Sequence, residues 1–199
     1  MSNKYTKWVV ILVIILVVIM LISWGTRIYN SLVTLEEKVS AQWAQVENVY
    51  QRRADLIPNL VATVKGYAEH EQETFTRVTE ARAKASSITI DPKNLTPETL
   101  QQFEQAQGEL SSALSRLLVT VEQYPELKAN QNFLELQAQL EGTENRITVE
   151  RQKFNDTARE YNTSVRSFPR NIFAGLFGFE RKPYFESKPG ADEAPKVEF

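Results

Sequence analysis

The sequence predicts an all-α protein: an N-terminal transmembrane helix, then an elongated antiparallel bundle of three to four long helices. Three observations carry this. An uninterrupted apolar run occupies residues 8–24. Beyond it, apolar residues recur at steps of three and four, the period of a helix face. Finally, only 7 glycines and 8 prolines occur in 199 residues, and long middle stretches hold neither helix breaker.

Residues 8–24 are apolar throughout except for Ser23. As a helix they extend roughly 25 Å, slightly less than the hydrocarbon core of about 30 Å. Trp8 and Trp24 close the two ends as interfacial anchors. A buried core helix would be amphipathic, whereas this one is apolar all round. The run is long for a signal peptide, and Ser23-Trp24-Gly25 is a poor cleavage site. The expectation is an uncleaved single-pass membrane anchor, with the lipid bilayer as the first partner. Lys4 and Lys7 precede the span; Arg27 and Lys38 follow it, the latter beside Glu36 and Glu37. The closer basic pair favours an inside N-terminus and a bundle outside the cytoplasm; a cytoplasmic bundle is the alternative.

Residues 25–167 carry the bundle. Ile28, Leu32, Leu35, Val39, Trp43, Val46 and Val49 or Tyr50 form one stripe, continuing from the membrane helix to about Ile57. Pro58 lacks an N–H, so it either kinks one long helix or makes a turn with Asn59 between two. Leu60, Val64, Tyr67, Glu71, Phe75, Val78 and Ala81 or Arg82 mark a stripe to about Ala85. Residues 86–97 read as a loop. Thr96-Pro97-Glu98 is a helix start: a hydroxyl cap, a first-turn proline and an acid. Leu100 through Tyr124 follow, ending at Pro125. A last helix, about 126–166, takes its stripe from Phe133, Leu136, Leu140, Thr143, Ile147, Glu150, Phe154, Thr157 and Tyr161. Such thin stripes suit long helices at shallow crossing angles, in a coiled-coil-like bundle.

Residues 168–186 are aromatic. Phe168, Phe173, Phe177, Phe179, Tyr184 and Phe185 either staple one end of the bundle or form an exposed docking or membrane-contact surface. Residues 1–7 are a short flank, and 187–199 read as a disordered tail.

The chemistry is narrow. With no cysteine and a single histidine, His70, thiolate sites and His-rich metal sites are ruled out. A di-iron bundle needs two Glu-x-x-His pairs, and none occurs. His70 can pair with Glu73 one turn on. A net charge of −2 argues against nucleic acid as partner. No catalytic residue, cofactor, metal or small-molecule substrate is expected. Arg52, Arg53 and Asp55, just before Pro58 and Asn59, are the most notable polar group. They serve either as donors to carbonyls freed at a bend or as a partner epitope.

Arg52-Arg53-Ala54-Asp55-Leu56-Ile57-Pro58-Asn59-Leu60-Val61, with Val64-Lys65-Gly66-Tyr67-Ala68 and His70-Glu71, resembles the signature of the LemA family. Tyr124-Pro125, Phe133, Leu136-Gln137, Glu144, Arg151, Phe154-Asn155, Tyr161-Asn162, Phe168-Pro169, Phe177-Gly178-Phe179 and Tyr184-Phe185 fit the rest, over roughly residues 5–186. The resemblance implies a bacterial, non-enzymatic protein with one N-terminal membrane helix and a helical bundle. It also implies a short N-terminus outside the cell, the opposite of the charge count. The function expected is a scaffold or protein-interaction module of the cell envelope, working with a protein partner or as a homo-oligomer. The alternative is a membrane-remodelling or curvature-associated protein, by analogy with a magnetosome-associated relative.

Overall fold

The computed structural model describes residues 2–68 and 70–186; the predicted tail at 187–199 lies outside them. Six α-helices and one short 3-10 turn make up the fold, with no strand among the described residues. They are α1 (Ser2–Lys65), α2 (Gln72–Ser87), the 3-10 turn (Pro92–Asn94), α3 (Pro97–Val121), α4 (Pro125–Lys128), α5 (Gln131–Arg166) and α6 (Arg170–Phe177).

Helix α1 is 64 residues long, about 96 Å at 1.5 Å per residue. Its N-terminal part projects alone: every side chain from Trp8 to Ile22 is exposed, as an apolar helix crossing lipid requires. It is the one described helix long and apolar enough to cross a membrane. Past Gly25 the predicted stripe turns inward. Ile28, Leu32, Leu35, Val39, Trp43, Val46 and Tyr50 are all buried.

Pro58 lies inside α1, which decides the alternatives left open there: the chain does not turn. Two expectations need correction. The break falls between the end of α1 at Lys65 and the start of α2 at Gln72, within the stretch expected to be helical from Leu60 to Ala85. Leu60, Val64, Phe75 and Val78 are nonetheless buried as their spacing foretold, while Tyr67 is exposed. The last helix is likewise divided, with α4 a single turn before α5; with α6 in the aromatic segment, six helices stand among the described residues where three to four long ones were expected. Thr96 caps α3 as expected. Its hydroxyl accepts from the Thr99 N–H at 3.2 Å, and Thr99 Oγ1 accepts from the Thr96 N–H at 3.0 Å.

Helix α5 packs along α1 in the opposite direction. Lys38 meets Glu160, Gln42 meets Glu150 and Arg53 meets Glu144. Helix α2 packs on α3, with Lys84 beside Glu109. The buried side chains form two apolar clusters. One lies nearer the membrane span and gathers Ile28–Tyr50 with Phe103, Phe154, Tyr161 and Phe185. The other is distal and gathers Ile57, Leu60, Val64, Leu110, Leu117, Leu127 and Phe133.

Candidate functional site

Two places combine polar chemistry or exposed apolar surface with defined geometry. The first lies at the junction of the two clusters. Arg53 follows Tyr50 and precedes Ile57, so its position on the inward stripe falls between them. It is 2% exposed. One guanidinium nitrogen donates to Glu144 Oε2 and Ser111 Oγ, both at 2.9 Å. The other donates to Gln107 Oε1 at 2.6 Å. The guanidinium also lies 5.1 Å from the Tyr50 ring centroid. Arg53 thus ties α1 to α3 and α5 through a polar layer that is buried at Arg53 and Gln107 and half-exposed at Glu144, and the planar fork suits three partners at once.

The other residues of that sequence group separate from it. Arg52, Asp55, Pro58 and Asn59 are exposed. Asp55 accepts a hydrogen bond from Gln51 at 2.7 Å. Arg52, Asp55 and Asn59 share one outer face by their three–four spacing. Neither Arg52 nor Arg53 serves the carbonyl freed by Pro58. That carbonyl belongs to Ala54, four residues back, and Arg82 of α2 donates to it through Nε at 2.7 Å. Sequence reasoning foresaw an arginine at the bend but chose the neighbours in sequence; the donor comes from 28 residues away. Glu73 bonds Arg77 rather than His70.

Burial also shifts titration near this layer. It raises the Tyr50 phenol, with Arg151 and Arg53 opposing. It raises the Glu104 carboxyl too, despite the pull of its ion-pair partner Arg151. Burial places Tyr161 far above the ordinary phenol range. Among the described residues no group of three acidic or histidine side chains could hold a metal ion.

The second place is the aromatic segment, where some residues pack against the bundle and others are exposed. Residues 179–186 run extended along α5, held by two asparagines. Asn162 Nδ2 donates to the Lys182 carbonyl at 2.8 Å, and its Oδ1 accepts from the Lys182 N–H at 2.9 Å. Asn155 makes the same pair of bonds with Phe185, both at 2.8 Å. Spacing explains the match. Seven residues of helix advance about 10.5 Å, and three of extended chain advance about 10 Å. Lys182 is buried, with Nζ 3.2 Å from Glu36 Oε1 and donating to the Lys93 carbonyl at 2.7 Å. Phe185 stacks on Trp43 with centroids 5.9 Å apart and meets Phe154 edge-on. These bonds are invisible to periodicity; the adjoining pairs Phe154-Asn155 and Tyr161-Asn162 were their only trace.

Helix α6 sits beside the end of the membrane span. Phe173 meets Trp24 edge-to-face at 5.7 Å, and Tyr29 meets Phe177 at 5.0 Å and Phe179 at 5.7 Å. Gly25 makes room for Phe173, since a Cβ there would stand 3.1 Å from its ring. The opposite face is open: Ile172 is 60% exposed and Leu176 75%, and Phe168, in the turn before the helix, is 81% exposed. Tyr184 is exposed as well. Trp8 is exposed at the far end of the span, and Trp24 is partly covered by Phe173.

The LemA family profile matches residues 42–199. Two proteins called magnetosome protein MamQ, from Paramagnetospirillum magneticum and Magnetospirillum gryphiswaldense, are each 28% identical over 183 residues, covering 82% of this chain and 66% of theirs. The chain therefore spans just under two thirds of their length. A protein called LemA from Metamycoplasma hominis is 25% identical over 145 residues, covering 73% of this chain and 63% of its own.

Proposed function

The chain belongs to the LemA family, and on that premise we propose that it is a non-enzymatic, single-pass scaffold that displays a helical bundle at a bacterial membrane to recruit a protein partner. The continuity of α1 carries this reading. One helix supplies both the apolar span and the central stripe of the bundle, so no flexible linker separates anchor from display surface. A bundle held this way presents its outer faces at a fixed height and bearing, which favours recognition of another membrane-bound protein by reducing the orientational freedom lost on binding. The exposed strip of Arg52, Asp55 and Asn59 is the assigned contact. On the charge count of Lys4 and Lys7 the bundle stands outside the cytoplasm, which a reporter fused to the C-terminus tests.

Cross-linking of the full chain in intact cells tests the scaffold reading. One partner should recur at residues on this strip, and exchanging the charges with Arg52→Glu and Asp55→Arg should remove it while thermal stability stays unchanged. Recovery of self-links alone overturns the scaffold reading. Tubulation of liposomes by the purified full chain would instead favour membrane remodelling.

A further inference from the structure

We propose that α6 is an interfacial membrane helix: its outward Ile172 and Leu176, with Phe168 from the turn just before it, insert at the headgroup–acyl boundary and give the bundle a second hold on the bilayer. The proposal rests on α1 spanning the membrane.

The occupant follows from continuity. Trp24 closes the apolar span, and a lipid bilayer covers the exposed side chains from Trp8 to Ile22. Phe173, on the inward face of α6, touches Trp24 itself, and Phe177 touches Tyr29 one turn further along. The helix is therefore within one side chain of the level where α1 leaves the hydrocarbon. At that level, apolar surface partitions into lipid and aromatic rings are favoured.

Shape and charge agree with this placement. Ile172 and Leu176, four residues apart within α6, share one face, and Phe168 stands exposed in the turn that leads into the helix. Burying these three exposed side chains in protein would require a partner at the membrane surface, whereas the bilayer is already there. Arg166 and Arg170 flank Phe168, Arg27 follows the span by three residues, and residues 166–179 contain no Asp or Glu. Basic side chains at the edge of an apolar face attract anionic headgroups. Arg170 is half-buried and donates to Ser164 Oγ at 2.6 Å, which fixes it beside this apolar surface.

The chain has no cysteine, so single cysteines can carry a spin label without background. The full chain, in nanodiscs of phosphatidylcholine with phosphatidylglycerol as the minority lipid, is labelled separately at Leu176→Cys, Phe168→Cys, Val13→Cys and Val119→Cys. Val119 is exposed near the far end of α3. Relaxation by oxygen, which concentrates in lipid, is compared with relaxation by a water-soluble nickel chelate. Labels at 168 and 176 should favour oxygen, as the label at 13 does, while the label at 119 favours the chelate. If 168 and 176 behave like 119 while 13 reads as lipid, the interfacial helix is refuted and the anchor stands. If 13 also reads as water, the membrane span itself is wrong and α6 falls with it. A failure of the scaffold reading changes neither result, because no partner is present.

Discussion

Replacing Asn162 with alanine should release the C-terminal extended segment. Asn162 is 5% exposed and bonds both the N–H and the carbonyl of Lys182. Alanine leaves that donor and acceptor buried and unpaired, at about 1–3 kcal/mol each. The total of about 2–6 kcal/mol has a ceiling, because residues 179–186 can lift away and rehydrate. Undocking forfeits the burial of Phe185, about 1.5–3 kcal/mol, and the two Asn155 bonds at about 1 kcal/mol each. The ceiling is about 3.5–5 kcal/mol, so the expected loss is about 2–5 kcal/mol in urea unfolding of the detergent-solubilised chain. Native-state hydrogen exchange should show the Lys182 and Phe185 amides losing protection together. If the segment lifts as one piece, Asn155→Ala in the same chain adds less than it costs alone. A loss below about 0.5 kcal/mol, with the Lys182 amide still protected, would refute the reasoning, since it would mean these bonds contribute nothing net.

Three further outcomes are expected. Arg82→Ala should destabilise the bundle by about 1.5–3 kcal/mol, the range for a charged donor's hydrogen bond. In a Pro58→Ala background it should cost about 1 kcal/mol less, because residue 58 then donates to Ala54 itself; equal costs in both backgrounds would contradict this. Arg53→Ala should cost about 1.5–3 kcal/mol, the range for hydrogen bonds of a charged group, because the Glu144 left behind is half exposed and can be solvated; Arg53→Lys should recover little of it, because an ammonium cannot span Gln107 and Glu144, and urea midpoints decide both. The pH response follows Glu109 and Glu150, held below the ordinary glutamate value of 4.5 by Lys84 and by Lys153 with Gln42. Because the folded values are depressed, their contribution is complete above pH 4.5 and disappears as pH falls through those values. Glu150→Gln should lower the melting temperature at neutral pH and flatten its acid-side decline, as measured by thermal denaturation.

Periodicity revealed what apolar burial determines. The span, the α1 stripe from Ile28 to Tyr50 and the Thr96 cap are local patterns, readable without tertiary knowledge. The break between Lys65 and Gln72 was missed because Pro58 is the stronger local breaker. Its effect on α1 is offset by Arg82, whose arrival depends on α2 packing back. The Asn155 and Asn162 bonds escape for a related reason: they join polar side chains to backbone, and no residue period records that. The aromatic segment was legible as apolar surface. Its division into a stacked Phe185 and an open surface of Phe168, Ile172 and Leu176 depends on where α5 ends relative to Trp24, which sequence spacing alone does not fix.

The separation between α1 and α5 sets an order of events during synthesis. Gln42 and Glu150 are 108 residues apart, a long loop to close for a helical protein. On the proposed reading of α1 as a membrane span, the apolar segment would enter the bilayer before α5 is made, leaving Leu32, Val39, Trp43 and Val46 with no partner to cover them. They would stand at the bilayer surface until α5 is complete, and Phe185, later still in the chain, would close over Trp43. A nascent chain halted before residue 131 would display that bare stripe next to lipid, a target for chaperones and membrane proteases until translation resumes.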